Sequence, residues 1–382
     1  MSHTSKRYGP AVAAALLAIG CSERATAPRP VTLANPEATA ASLAAVDSVL
    51  RVPVARSFTT FAGAFSAPAG LAPAALAGSG LPALPRPGES AQATSARRAW
   101  RLTRLAPELG ASLTSFTIIP DSLRGFVFRW DSASASYQRA ATSGGPTNGV
   151  RFILYAVDTA GQIAYPLAEV GYADLLDEST ESGPQLHILV RSPDGAITYV
   201  DHTVAITPIA NGFTAVARGF VSNGRTGPDT RTLRFAATLQ ASATESGATA
   251  ALDAQLGLSE PAVTIQITER HTFTGNGGAA AVDFRINHDS ETLQLEGTFV
   301  VSAVTADSAV VTVNAAILVN GQILATVQGT PPDHLTFRDG AGNPVPPGPV
   351  LEALGQLSTA LDGVSHLVQG LFSPIANIFG GF

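Results

Sequence analysis

The sequence predicts a mainly β protein: a large curled antiparallel meander, either an open half-barrel or a barrel-like sheet, with helices packed on its apolar face. Three observations predict it. From about residue 113 the apolar residues recur with a period of two. Turn signals rich in Gly and Asn separate the alternating runs. After a Pro-rich break at 344–349, a stripe of leucines and valines returns at helical spacing. A period of two marks strands with one dry and one wet face, and many such runs at short spacing make an antiparallel sheet.

In chain order, Lys6 and Arg7 precede an apolar run from Val12 to Ile19, and Gly20 is the small residue a signal peptidase requires before its cut. The run is far short of the ~20 residues that span a bilayer, so it is no transmembrane anchor. The stretch Leu17-Ala18-Ile19-Gly20-Cys21 resembles the lipobox of bacterial lipoprotein precursors. Ile19, Gly20 and Cys21 fit that pattern, while Ala18 stands where Leu is preferred and Leu17 comes one residue early.

The resemblance implies a lipoprotein signal peptide over 1–20. It also implies a Cys21 that receives a diacylglyceryl thioether and, after cleavage, an N-acyl chain. Ser22 in place of Asp implies sorting to the outer membrane, facing the periplasm. Three acyl chains exceed the two signals that stable anchoring takes, at ~0.8 kcal/mol per buried CH₂. The membrane, reached through Cys21, is therefore the expected partner. The rival reading is an ordinary secretory signal with a chance cysteine. Cys21 is the single cysteine of the chain, which excludes an intrachain disulfide and a cysteine-based zinc site.

Residues 21–34 read as a polar, Pro-bearing tether. The segment 35–65 reads as helical: Asn35 suits an N-cap, Pro36 the first helical position, and Glu37 the first turn. Leu43, Val46, Val49 and Leu50 follow at helical spacing. Pro53 interrupts, and Phe58, Phe61 and Phe65 suggest a second amphipathic helix. Residues 66–96 are rich in Ala, Pro and Gly with almost no charge, and read as a flexible linker or disordered loop. A single β-rich domain is expected over 97–382, opening with a short basic helix over 97–106.

The strand runs follow. Phe126, Phe128 and Trp130 alternate with Val127 and Arg129, and Phe152 and Leu154 with Arg151, Ile153 and Tyr155. Leu233, Phe235, Ala237 and Leu239 oppose Arg234, Ala236, Thr238 and Gln240. Val263, Ile265 and Ile267 oppose Thr264, Gln266 and Thr268. Val282, Phe284 and Ile286 oppose Asp283, Arg285 and Asn287. Roughly a dozen strands fit between 113 and 328. Turn signals stand at Ala160-Gly161, Pro193-Asp194-Gly195, Asn211-Gly212, Asn223-Gly224, Gly275 to Gly278 and Asn320-Gly321. A flat sheet of more than ~10 strands tends to curl, split or close. The expected cover is an amphipathic C-terminal helix over 349–372, with Leu351, Leu354, Leu357, Leu361 and Val364 on one stripe.

Composition narrows the function classes. The net charge is −6, and loss of residues 1–20, which hold Lys6 and Arg7 and no acid, takes it to about −8. A mildly acidic chain without a basic patch argues against nucleic acid. The basic cluster Arg97, Arg98, Arg101 and Arg104 reads as a solvated helix face, with lipid headgroup contact as its rival.

No G-x-S-x-G, H-E-x-x-H, P-loop or helix-opening G-x-G-x-x-G is present, so no catalytic, cofactor-binding or metal residue is named. Asp339 to Asn343 reads as a loop, because a calcium loop needs a terminal acid that is missing. The acidic stretch Glu169, Asp174, Asp177, Glu178 and Glu181 reads as a solvated edge. The histidines are scattered. Glu269 and His271 form the one pair to watch, since both continue the dry register of Val263, Ile265 and Ile267. They suit an acid/base pair or a ligand hook, or a strand that runs past the core edge.

Three readings follow. The first is a non-catalytic envelope lipoprotein that binds a lipid or other hydrophobic small molecule on the apolar face of its curled sheet. The second is a structural or adhesive surface module that binds protein or glycan through the wet face. Its mark would be exposed aromatics, and the visible ones are Tyr155, Tyr199 and Phe220. The third is a hydrolase with an unrecognised site around Glu269 and His271.

Overall fold

The computed structural model describes residues 31, 36–50, 52–64, 99, 103, 117–158, 162–275, 277–289, 291–304, 309–330 and 334–345. Cys21 and its signal segment, the linker at 66–96, the turn at Ala160-Gly161 and the C-terminal helix at 349–372 lie outside the described residues. So does the basic helix at 97–106, apart from Ala99 and Thr103, which are helical and buried.

Helix α1 spans Pro36–Leu50 and α2 spans Pro53–Ala64. Pro36 opens α1 with Glu37 in its first turn, as expected. Pro53 does not merely interrupt; it opens α2. Proline at the first helical position sacrifices no hydrogen bond, because that N–H has no intrahelical partner. Ser42, Ala45, Val46 and Val49 form the buried stripe of α1, at i, i+3, i+4 and i+7. Ser42 Oγ donates to the Ala38 carbonyl at 2.8 Å, which satisfies a buried hydroxyl within the helix.

All fifteen strands among the described residues belong to one sheet. They are β1 (Phe126–Asp131), β2 (Ser136–Ser143), β3 (Gly149–Tyr155), β4 (Glu169–Asp177), β5 (Gln185–Arg191), β6 (Thr198–Ile209), β7 (Gly212–Ser222) and β8 (Thr232–Thr244). Then follow β9 (Gly247–Leu258), β10 (Val263–Thr274), β11 (Gly277–His288), β12 (Glu291–Val304), β13 (Ala309–Val319), β14 (Gln322–Thr330) and β15 (His334–Arg338). The spatial order runs from β15 down to β3, then β1, then β2. The sheet is therefore mainly β and antiparallel-rich, as expected, but it does not close, and the barrel-like alternative falls.

Its two ends explain how fifteen strands stay open. An edge strand invites pairing unless it is short, polar or capped by proline. At one edge β15 has only five residues, and Pro344, which has no N–H, forms the next bridge to Arg338. At the other, β2 is largely exposed and polar.

From β6 to β12 every neighbour pairs antiparallel without a register shift. Alternation and burial agree: Val263, Ile265, Ile267, His271 and Phe273 face inward on β10, while Gln266, Thr268, Arg270 and Thr272 are exposed. The Asn320-Gly321 turn joins β13 to β14 with φ of 52° and 77°. Both central residues are left-handed, as a type I′ hairpin needs, and Asn-Gly is the pair that tolerates this best.

The N-terminal end breaks the meander. Strand β1 pairs parallel with β3 and antiparallel with β2, so the chain must cross the start of β1 between β2 and β3. Ser143-Gly144-Gly145-Pro146 makes that crossing. The amides of Gly144 and Gly145 both donate to the Gly125 carbonyl, and a Cβ on Gly145 would lie 2.4 Å from the Phe126 carbonyl oxygen. Only glycine fits there.

This region also corrects the strand expectations. The first strand among the described residues starts at 126, and residues 118–123 are an entry segment with a single 3₁₀ turn; the expected start near 113 lies outside the described residues. Strand β2 had no apolar alternation to reveal it, and β15 had only the short pair Leu335 and Phe337. Strand β3 is buried on both faces, so its alternation does not sort dry from wet.

The inner face carries one core from β1 to β14. Helix α2 packs on β3, β4, β5 and β6, and α1 on β7 and β8. Gly171 of β4 lets α2 approach: a Cβ there would stand 3.3 Å from Val54 Cγ1. Under α1 the inward residues of β7 and β8 include Ala215, Ala217, Ala237 and Ala241, all buried. Small residues let a helix lie close to a sheet. A second, smaller cluster on the outer face joins Val127, Ile153, Tyr155 and Tyr172, with Trp130, Tyr137 and Ile163 packed against it.

Candidate functional sites

Strand β10 places Glu269 and His271 side by side on the inner face, two residues apart on one register. His271 Nε2 lies 3.4 Å from Glu269 Oε2, and the His271 side chain is buried. The His271 ring stacks on Phe273 with centroids 6.0 Å apart. Its cross-strand neighbours are Ala250 and Ala280; those of Glu269 are Leu252 and Val282. None of the four neighbours carries a hydroxyl or thiol, so the directly flanking strands supply no nucleophile to an acid/base pair.

His202 and His288 also face inward and are buried. Gly219 stands opposite His202 on β7, where a Cβ would lie 2.5 Å from that of His202. The imidazole reaches past this gap to meet the Phe235 ring edge-on at 5.8 Å. The three inward histidines do not converge. His202 is four strands from His271, ~19 Å along the sheet at 4.8 Å per strand. His288 faces Val263, eight residues along β10 from His271, or ~27 Å at 3.4 Å per residue.

The acidic stretch is a solvated edge only in part: Glu169 and Glu181 are exposed, whereas two of its members are not. Asp174 and Asp177 are buried carboxylates with built partners. Arg151 clamps Asp174 with Nε at 2.6 Å and Nη2 at 2.8 Å, and its guanidinium lies 3.9 Å above the Tyr172 ring. Asp177 Oδ2 accepts from the amides of Ile118 and Ile119 and from Arg124 Nη2. Burial pushes the Asp177 carboxyl up, but hydrogen bonds from Ser179 and those two amides outweigh it and hold the group below the usual carboxylate value. Asp177 thus pins the entry segment to the end of β4. Glu169 pairs with Arg129. Glu178 pairs with His187 and Glu181 is exposed, and among the described residues no group of His, Cys, Asp and Glu could hold a metal ion.

His187, on the outer face of β5, bridges two acids. Its Nδ1 lies 2.8 Å from Glu178 Oε1 and its Nε2 2.9 Å from Asp201 Oδ1. Burial lowers its affinity for a proton, yet the hydrogen bonds and charges of Asp201 and Glu178 prevail and raise it above the ordinary histidine value. Sequence reasoning missed this clamp. Its three residues come from a loop and two strands, so no spacing announces them.

The expected wet-face aromatics are not displayed. Tyr155 is buried in the small outer cluster, and Tyr199 and Phe220 are half-buried. Tyr199 is folded over Gly224, where a Cβ would lie 2.3 Å from the ring. Among the described residues the exposed aromatic is Tyr165, 59% accessible, in the loop between β3 and β4. Its hydroxyl accepts from Trp130 Nε1 at 2.9 Å. The Asp339 carboxylate is used by its own loop: its Oδ1 accepts from the amides of Ala341 and Asn343 at 2.9 and 2.8 Å.

These features define a single-sheet protein with an apolar inner face, a charge-paired outer face and a knot of aromatics at one end. No family model, curated protein or solved structure matches the chain.

Proposed function

We propose that this chain is a lipid-anchored protein of the bacterial envelope, held at the outer membrane by an acylated Cys21 and facing the periplasm. Its sheet curls so that the inner face takes up a lipid or other hydrophobic molecule, with the helix of 349–372 as cover. The observation that carries this reading is the mismatch between apolar face and described cover. The apolar inner face continues to β14, while the main packing of the described helices α1 and α2 is on β3 to β8. An inner face of that extent suits an elongated apolar guest, and Glu269 and His271 would offer its polar end a partner. The hydrolase reading loses support, because Ala250, Ala280, Leu252 and Val282 flank that pair.

The anchor and the guest are tested separately. Cells fed an alkyne-tagged fatty acid should label the wild-type protein and not Cys21→Ser; equal labelling of both removes the anchor. Protein made in bacteria without residues 1–21 should show adducts of lipid mass by native mass spectrometry. A ligand-free spectrum, together with no uptake of an apolar dye, removes the guest.

A further inference from the structure

We propose that Trp130 and Tyr165 form a stacking platform for a pyranose ring, so that the protein binds a neutral oligosaccharide at the β1 end of its sheet. Four of the six tyrosines, Tyr137, Tyr155, Tyr165 and Tyr172, gather here with Trp130, one of only two tryptophans. Buried aromatics need no function, but Tyr165 is not buried. It is 59% exposed, and Leu167 beside it is 38% exposed. They are two of the five exposed large apolar side chains among the described residues.

The two rings are held in place before any ligand arrives. Trp130 Nε1 donates to the Tyr165 hydroxyl at 2.9 Å. From the other side, the Trp130 ring meets Tyr137 edge-on with centroids 5.5 Å apart. Tyr137 in turn donates its hydroxyl to the Ile153 carbonyl of β3 at 2.9 Å. An exposed phenol is thus tied through an indole and a second phenol to the backbone of a buried strand. Preorganisation of this kind lowers the entropic cost of binding.

The surroundings select among ligand classes. Arg129, next to Trp130 in the chain, is paired with Glu169, two residues beyond Leu167, so the local charge is balanced. Asp131 accepts from Ser134, and Gln138 donates to Ser136. A platform for single-stranded nucleic acid would add a basic groove, and a headgroup site would add a cluster of cations. Among the described residues neither accompanies these rings, since Arg139 lies over the Phe126 ring and Arg151 is paired with Asp174. A protein partner usually covers about 800 Å² on each side, far more than Tyr165 and Leu167 present. A pyranose fits: it has an apolar C–H face to lie on a ring, and hydroxyls that both donate to and accept from groups of either sign.

The test uses the full-length protein with Trp100→Phe, which leaves Trp130 as the single tryptophan reporter. It is titrated with tetrasaccharides of glucose, N-acetylglucosamine and mannose while indole fluorescence is followed. At least one should bind saturably and shift the Trp130 emission. Tyr165→Ala should weaken that binding about tenfold or more, equivalent to ~1.4 kcal/mol or more of lost contact. It should leave the melting temperature almost unchanged, because the side chain is exposed. Tyr199→Phe, on β6, should bind as the parent does. The proposal is overturned if no tetrasaccharide saturates, or if Tyr165→Ala binds as well as its parent. Binding of single-stranded DNA or anionic vesicles in place of sugar also overturns it.

Discussion

Strands β6 to β14 and strands β1 to β5 share one sheet but are held together by different means. The first set has strands of nine to fourteen residues, paired in sequence order. Its inner face is apolar and its outer face polar. The outer charges form exposed pairs, such as Arg270 with Asp253 and Arg285 with Asp283. The second set has strands of six to nine residues, a parallel pair, and apolar packing on both faces. Its charges are built in: Arg151 with Asp174, and Asp177 with two backbone amides. Long strands in simple register need only alternation. Short strands cannot bury enough on one face, and this end supplies the deficit with aromatics, glycine crossings and buried ion pairs.

That contrast can be broken or sharpened by experiment. Phe152 is fully buried, stacked on Phe128 at 4.9 Å and met edge-on by Tyr137 at 5.4 Å. Phe152→Ala should cost about 4 kcal/mol in urea unfolding, within the range for buried aromatics. A loss below ~1 kcal/mol would mean that the short-strand end adds little to the cooperative unit.

The next effect compares two Arg–Asp pairs: a clamp of two nitrogens on Asp174, and a single Nη2 shared by both oxygens of Asp253. Asp174 is buried, and Asp174→Asn leaves Arg151 without its charge partner, at a cost of about 3 kcal/mol. Asp253 pairs with Arg270 through two 2.8 Å contacts, yet both side chains are about half exposed. Asp253→Asn should cost about 0.5 kcal/mol and less in high salt, since solvent screens such pairs. Equal losses in the two variants would show that burial is not what separates the regions.

The smallest effect is a pH dependence at the junction of the two regions. His187 binds its proton more tightly in the folded state than when unfolded. Its contribution is therefore fully present below the unfolded histidine value, about 6.5, and is lost as pH rises through the higher folded value. The stability gap between wild type and His187→Gln should be widest below pH 6 and shrink with increasing pH. A gap that stays constant or widens towards alkaline pH would show that the Glu178 and Asp201 contacts do not favour the protonated ring.

Legibility in the sequence followed the same division. Strands β8, β10 and β11 could be read residue by residue, because burial on one face imposes a period of two that survives in Leu233, Phe235 and Ala237 or in Val263, Ile265 and Ile267. The inward placement of Glu269 and His271 was readable from the same period. Edge strand β2 was not, because an edge exposed to water selects polar residues without alternation, and β15 was not because Leu335 and Phe337 alternate over only five residues. Strand β3 misled, since Arg151, Ile153 and Tyr155 look like a wet face and instead line the outer cluster.

By itself the sequence determined the fold class, the antiparallel pairing of neighbours, most turns and the helix starts at Pro36 and Glu37. These depend on local backbone preference and on one-sided burial, which act on residues close in the chain. Only the tertiary structure decided that fifteen strands form one unclosed sheet, and that β1 inserts between β2 and β3. It alone placed Asp174 and Asp177 inside, closed His187 between Glu178 and Asp201, and left Tyr165 exposed on Trp130. Those outcomes join residues 9 to 59 positions apart. Contacts at such separations are settled by packing and desolvation in the folded state, and they leave no period in the sequence.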